Sequence, residues 1–305
     1  MTEPREWTVT ADDGVRLHVQ SWPAAAADAP LVLGLHGITA NRLAFLPLLD
    51  ELAGEVEFVA YDARGRGRSD KPSEPRAYGH ARHAADAACV LDEIGRSAGV
   101  VMGQSMGAWD GLLLAARRPE LVGALVLGDG GYFRDLPADV EPADFVDVTM
   151  GRGWLDRMQL AVPSKDVLFG ALKALPPFRD TWGPALEEMF SAGLETLPDG
   201  SVRNVCSPVG AQVDSLDYFV PREDPYVRRD LGRVSCPVHL VRAPRGFDIS
   251  PETRDPLMPE AAVEEFRRLV PQLVVETVPD TNHYTVNFGK SGVVSLAEAI
   301  RKVLR

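Results

Sequence analysis

The sequence predicts an α/β fold, a doubly wound and mostly parallel sheet with a mainly helical insertion. Three observations predict it. Short, continuous apolar runs recur, each ending in a small or polar turn. Helix-like segments separate these runs. From Tyr132 to about Gly232 the alternation stops and then resumes. Runs that are apolar throughout suit strands buried on both faces, and strands alternating with helices imply parallel crossovers.

Trp7–Thr10 and Val15–Ser21 alternate around Asp12-Asp13-Gly14 and read as a hairpin. Leu31–Leu35 is the first fully apolar run and closes in His36-Gly37-Ile38-Thr39. Phe45–Ala53 has helical spacing. Val56–Tyr61 is the next strand, followed by Asp62-Ala63-Arg64-Gly65-Arg66-Gly67-Arg68-Ser69. Gly79–Gly95 is alanine-rich and helical. A strand at Val100 runs into Gly103-Gln104-Ser105-Met106-Gly107, and a helix continues to Arg118, where Pro119 stops it. Leu125–Gly128 is a further strand and ends at Asp129. After the interruption come Val238–Val241 (strand), Pro259–Val270 (helix), Val274–Val278 (strand) and Ser291–Leu304 (helix). The expected organisation is therefore a core of residues 1–130 and 233–305 with a cap over 131–232. That insertion carries Trp154, Phe169, Phe178, Trp182, Phe190, Tyr218, Phe219 and Tyr226 but no regular period.

A chain of 305 residues can bury a large core. Its 44 acidic and 32 basic residues give a formal charge of −12, which disfavours a nucleic-acid partner. No apolar run is long enough to span a bilayer, and the polar start Met1–Glu6 has no signal-peptide core. Cys89, Cys206 and Cys236 are odd in number, widely spaced and outside any metal-ligand pattern. They read as reduced thiols of a cytoplasmic protein. No metal or cofactor is expected, since neither a dinucleotide fingerprint nor a phosphate-binding loop is present. A homodimer is left open.

The pattern Gly103-x-Ser105-x-Gly107 between a strand and a helix is the strongest chemical signal. A serine on such a tight turn is pushed out of the sheet, and the following helix aims its N-terminal N–H groups at it. A glycine-rich turn with a chance serine is the competing reading, and the flanking strand and helix count against it.

Together with His36-Gly37, Asp62-x-Arg64-Gly65-x-Gly67-x-Ser69 and Thr281-Asn282-His283-Tyr284, this pattern resembles the α/β-hydrolase superfamily. The resemblance covers about Glu6 to Arg305 apart from the insertion, which looks like that superfamily's variable cap. It implies Ser105 as nucleophile and His283 as base, in the chain order of the family. It implies oxyanion donors at the N–H groups of Ile38 and Met106, with His36 shaping the loop. Asp62 and Arg64 are expected to brace loops.

The acid that orients the histidine has two near-equal candidates. Most members place it shortly after the strand at Val238–Arg242, where this chain has Ala243-Pro244-Arg245-Gly246; Asp248 follows two residues later, and Asp255 is a third option. Asp129 is the rival, because some members place their acid at the end of the preceding strand. Gly37, Trp109, Tyr132 and Tyr284, with Phe133 nearby, are expected around an apolar substrate pocket. The leading expectation is hydrolysis of a hydrophobic ester, thioester or lactone through an acyl-enzyme. Acyl transfer, carbon–carbon bond hydrolysis and a non-catalytic small-ligand receptor on the same scaffold stay open.

Overall fold

The computed structural model describes residues 3–132, 139–217 and 229–305. Phe133, Tyr218, Phe219 and Tyr226 lie outside them. Eight strands form one sheet in the order β1-β2-β4-β3-β5-β6-β9-β10. They are β1 Arg5–Thr10, β2 Arg16–Trp22, β3 Leu31–Leu35, β4 Glu57–Tyr61, β5 Val100–Gln104, β6 Leu125–Gly128, β9 Val238–Arg242 and β10 Leu273–Thr277. β1 and β2 pair antiparallel, as do β2 and β4, and every other pairing is parallel.

Double winding follows from the strand sequences. In β3, Leu31, Leu33 and Leu35 join one core cluster and Val32 joins the other. In β5, Val101 faces the first cluster, and Val100 and Met102 face the second. Helices must therefore cover both faces. Helices His80–Ile94, Met106–Arg117 and Glu260–Leu269 supply Leu91, Leu112 and Phe266 to one side. Helices Leu46–Leu52 and Lys290–Val303 supply Leu48 and Ile300 to the other.

From β3 the chain moves outward to β4, then crosses back to β5 on the other side of β3. The carboxyl ends of β3 and β5, paired at Leu35 and Gly103, thus flank a topological switch point, where open α/β sheets form their ligand crevice.

The insertion lies over that crevice. Ile38, Ala63 and Met106 of the core share an apolar cluster with Val146, Trp154, Cys206 and Ala211. A second cluster joins Leu43 and Ala44 to Phe178, Leu186 and Met189. One feature departs from the sequence expectation: Leu194–Thr196 (β7) and Val202–Asn204 (β8) form a small antiparallel hairpin inside the insertion. Strands this short show no usable period-2 signal.

A buried ionic cluster anchors the insertion helix Pro208–Asp217 to the core. Asp214 and Arg66 are fully buried and 2.5 Å apart, His83 Nε2 is 2.9 Å from the same carboxylate oxygen, and Gly79 N donates to the other at 2.8 Å. Burial raises the cost of ionising Asp214, yet the attraction of His83 and Arg66 prevails and holds its carboxyl well below the usual range. Removing one partner of such a pair leaves a buried charge uncompensated. Asp214→Ala should therefore lose about 3–5 kcal/mol of stability, read as a lower denaturant midpoint.

Candidate active site

Ser105 follows β5 with φ 53° and ψ −118°, a conformation that a non-glycine residue adopts only under constraint. The flanking glycines show the constraint. A Cβ on Gly103 would sit 2.3 Å from the Gly107 carbonyl oxygen, and one on Gly107 would sit 2.0 Å from that of Leu35. Only with both side chains absent can the Met106–Arg117 helix lie this close to β3 and β5. The turn then projects Ser105 Oγ over the sheet.

His283 follows β10 in a loop held by its own backbone. Its N–H donates to the Gly246 carbonyl at 2.9 Å, and its carbonyl accepts from Asn287 Nδ2 at 2.9 Å. Asn282 Oδ1 accepts from the N–H groups of Tyr284 and Thr285 and so fixes the loop where it enters the short Thr285–Phe288 helix. His283 Nε2 lies 2.9 Å from Ser105 Oγ, and His283 Nδ1 lies 2.8 Å from Asp129 Oδ2. A carboxylate only accepts, so Nδ1 carries the proton and Nε2 is the acceptor facing the serine hydroxyl.

Asp129 follows β6 at φ 51°, fully buried, and its other oxygen accepts from Ala243 N at 3.0 Å. Asp248 is held elsewhere. Arg245 Nη1 and Arg254 Nε donate to its carboxylate at 2.7 and 3.0 Å. Asp255 is exposed and lines the neighbouring cavity. The loop after β9 meets His283 with backbone rather than with an acid. At Gly246 a Cβ would lie 2.2 Å from the Asp255 carbonyl oxygen, so no side chain fits there. Of the two near-equal candidates for the acid, the structure brings only Asp129 to the histidine.

The Gly37–Ile38 turn lies against the serine, with a Cβ on Gly37 only 3.4 Å from Ser105 Cβ. His36 sets that peptide. Its Nε2 accepts from Ala63 N at 2.9 Å, so its Nδ1 carries the proton and donates to the Gly37 carbonyl at 2.7 Å. In a trans peptide the Ile38 N–H then points the opposite way. Burial lowers the His36 pKa to about 4, so the ring stays neutral near pH 7. Arg66 Nε fixes the following carbonyl, that of Ile38, at 2.9 Å. The Met106 N–H is one of the first helical donors, which have no partner inside the helix. His36→Ala should lower kcat by roughly tenfold to a hundredfold with little change in KM, since one oxyanion donor contributes about 10²–10³ when lost outright. Steady-state kinetics on a small ester checks this.

The cleft above Ser105 holds about 560 Å³ of empty space, part of it open to solvent. Ile38, Met150, Met189, Phe190, Phe247 and Tyr284 are among its walls. Tyr284 packs on Phe178 and Phe247, and burial pushes its hydroxyl pKa up to about 12. Trp109 and Tyr132 line the adjoining cavity instead of this cleft. Sequence reasoning missed Phe247, Met150, Asn282 and Arg66. Of these only Asn282, beside a histidine and before a short helix, carried a readable local signal. Among the described residues no group of three or more His, Cys, Asp or Glu is placed to hold a metal, and no helix is long and apolar enough to cross a membrane.

Comparison with known proteins adds relatives to this geometry. A family model described as the alpha/beta hydrolase fold matches residues 30–289. The chain is 28% identical over 260 residues to 2-(acetamidomethylene)succinate hydrolase of Mesorhizobium japonicum, a match covering 84% of this chain and 82% of that protein. A shorter match, 33% identical over 116 residues, is to epoxide hydrolase 4 of Mus musculus and spans 38% of this chain and 32% of that one. Among solved structures, that of E-2-(acetamidomethylene)succinate hydrolase has a TM-score of 0.75 at 23% identity, covering 99% of both chains. The thioesterase domain from the curacin biosynthetic pathway also has a TM-score of 0.75, at 18% identity, covering 99% of this chain and 100% of its own. These two structures share the fold.

Proposed function

The chain belongs to the α/β-hydrolase family, and we propose that it is a serine hydrolase of that family, cleaving an apolar carboxylic ester, thioester or lactone. The observation that carries this reading is the unbroken line from Asp129 through His283 to Ser105, at 2.8 and 2.9 Å. In the reaction His283 Nε2 takes the Ser105 proton as Oγ attacks the substrate carbonyl. The carbonyl oxygen becomes an oxyanion facing the N–H groups of Ile38 and Met106. Asp129 holds the ring in the required tautomer and stabilises its protonated form. His283 then gives its proton to the leaving oxygen or sulfur, and the acyl group stays on Ser105. Water, deprotonated by the same nitrogen, attacks the acyl-enzyme, and the acid is released as Ser105 regains its proton.

The walls favour an uncharged acyl group. Among the described residues around the cleft there is no lysine or arginine. The name of the Mesorhizobium relative carries a succinate, a dicarboxylate, and recognition of such a group ordinarily uses guanidinium or ammonium partners. An apolar acyl group matches Met150, Met189, Phe190 and Phe247 better.

Hydrolysis of p-nitrophenyl butyrate tests the reading. It predicts continuous nitrophenol release over many turnovers, lost in Ser105→Ala. One equivalent released without further turnover would instead point to a ligand receptor that has kept the triad.

A further inference from the structure

A second cavity adjoins the Ser105 cleft, with about 960 Å³ of empty space partly open to solvent. Met150 and Phe247 line both spaces. Trp109, Tyr132, Phe145, Val146 and Leu257 form much of the remaining surface. We propose that this cavity receives the leaving group of the substrate, and that this group is an uncharged aromatic or bulky apolar alcohol or thiol. The inference rests on the serine-hydrolase reading of Ser105 and narrows its substrate class.

Direction comes from the catalytic geometry. The leaving atom must be protonated by His283 Nε2, so the leaving group lies on the histidine side of the tetrahedral centre. The oxyanion lies on the side of Ile38 and Met106. Phe247 packs on the His283 ring with centroids 4.5 Å apart and also lines this cavity. Ile38, Thr39 and Ala40 line the Ser105 cleft but not this cavity. The cleft, with Met189, Phe190 and Phe288, is then left for the acyl group.

Chemistry comes from the lining. Aromatic and aliphatic side chains dominate, and its acidic residues among those described are Glu252 and Asp255, both exposed. An anionic leaving group would meet two carboxylates and no described cation.

Two matched ester series, assayed on the full chain, test the proposal. The first compares 2-naphthylmethyl acetate with methyl acetate, which vary the alcohol while its leaving oxygen stays an alkoxide. The second compares methyl 2-naphthylacetate with methyl acetate, which vary the acyl side. The expected result is at least a tenfold higher kcat/KM for 2-naphthylmethyl acetate than for methyl acetate. Thr149→Trp and Leu257→Trp each place an indole in the cavity from partly exposed wall positions. Each should cut that ratio at least tenfold while leaving the acyl-side ratio in place. If one variant fails to fold, the other and the wild-type ratio still decide. A wild-type ratio near one, or tryptophan variants that reduce the acyl-side ratio instead, would overturn the proposal. Failure to turn over any of the esters would count against the serine-hydrolase reading itself, whereas turnover without the ratio counts against the pocket alone.

Discussion

Asp129→Asn is expected to lower kcat by about 10⁴-fold, while Asp248→Asn should stay within a few-fold of the parent. The first effect follows from the tautomer. Asp129 Oδ2 accepts the Nδ1 proton of His283 at 2.8 Å, which leaves Nε2 as the acceptor facing Ser105 Oγ. An asparagine can offer an N–H at the same place, and the ring then turns its proton toward the serine and ceases to be a base, a change that costs about 10⁴ where it has been made in a Ser-His-Asp triad. The backbone should tolerate the change, because asparagine accepts the left-handed φ of 51° nearly as well as aspartate does. Asp248 bonds to Arg245 and Arg254, both partly exposed, so its neutralisation perturbs one loop and no step of the reaction. Comparing kcat of the two variants, with folding checked by circular dichroism, separates the two roles.

Ser105→Ala has a larger effect, a loss of about 10⁶-fold in kcat if the residue is the nucleophile. Residual hydrolysis should come from substrate binding and from the donors at Ile38 and Met106, which the substitution leaves in place. Because the nucleophile and the base act as one unit, the double variant Ser105→Ala/His283→Ala should be no slower than the single one. The alanine methyl group should fit without a shift, since the substitution only removes Oγ and keeps Cβ where it is. A Ser105→Ala protein that keeps a tenth of the parent activity would assign the chemistry to another group.

The parts of this account that were legible in the sequence share one property: local chain geometry determines them. Gly103 is required by contacts with backbone four and five residues further on, and Gly107 by contact with Leu35 on the adjacent strand, so the turn at Ser105 is written in five consecutive residues laid against one neighbouring strand. The apolar runs at β3, β5 and β6 are strands buried on both faces, and burial of this kind leaves no polar position to interrupt them. His283 was found through chain order and a loop after the last strand.

Which aspartate meets His283 was not legible, because it depends on which of two strand ends reaches the histidine loop. That choice is made at Gly246, where the backbone of Thr253 and Asp255 occupies the space a side chain would need. Sequence shows the glycine but not what fills the space around it. The insertion was equally opaque. Its helices are short, its hairpin strands have three residues each, and its seating depends on contacts such as Arg66 with Asp214, far apart in the chain. The cavity bordered by Phe247 is assembled from the Met106–Arg117 helix, the insertion and the loop after β9, and no single segment announces it.

The central claim is that Ser105 forms a covalent acyl-enzyme with His283 and Asp129 behind it. The most direct measurement is mass spectrometry of the chain after treatment with a fluorophosphonate, which reacts with a serine activated in this way. One phosphonyl group on the peptide containing Ser105, absent from Ser105→Ala and much slower to appear in Asp129→Asn than in Asp248→Asn, is the predicted result. Modification of a different residue, or an unlabelled Ser105 in a folded protein, would contradict the account.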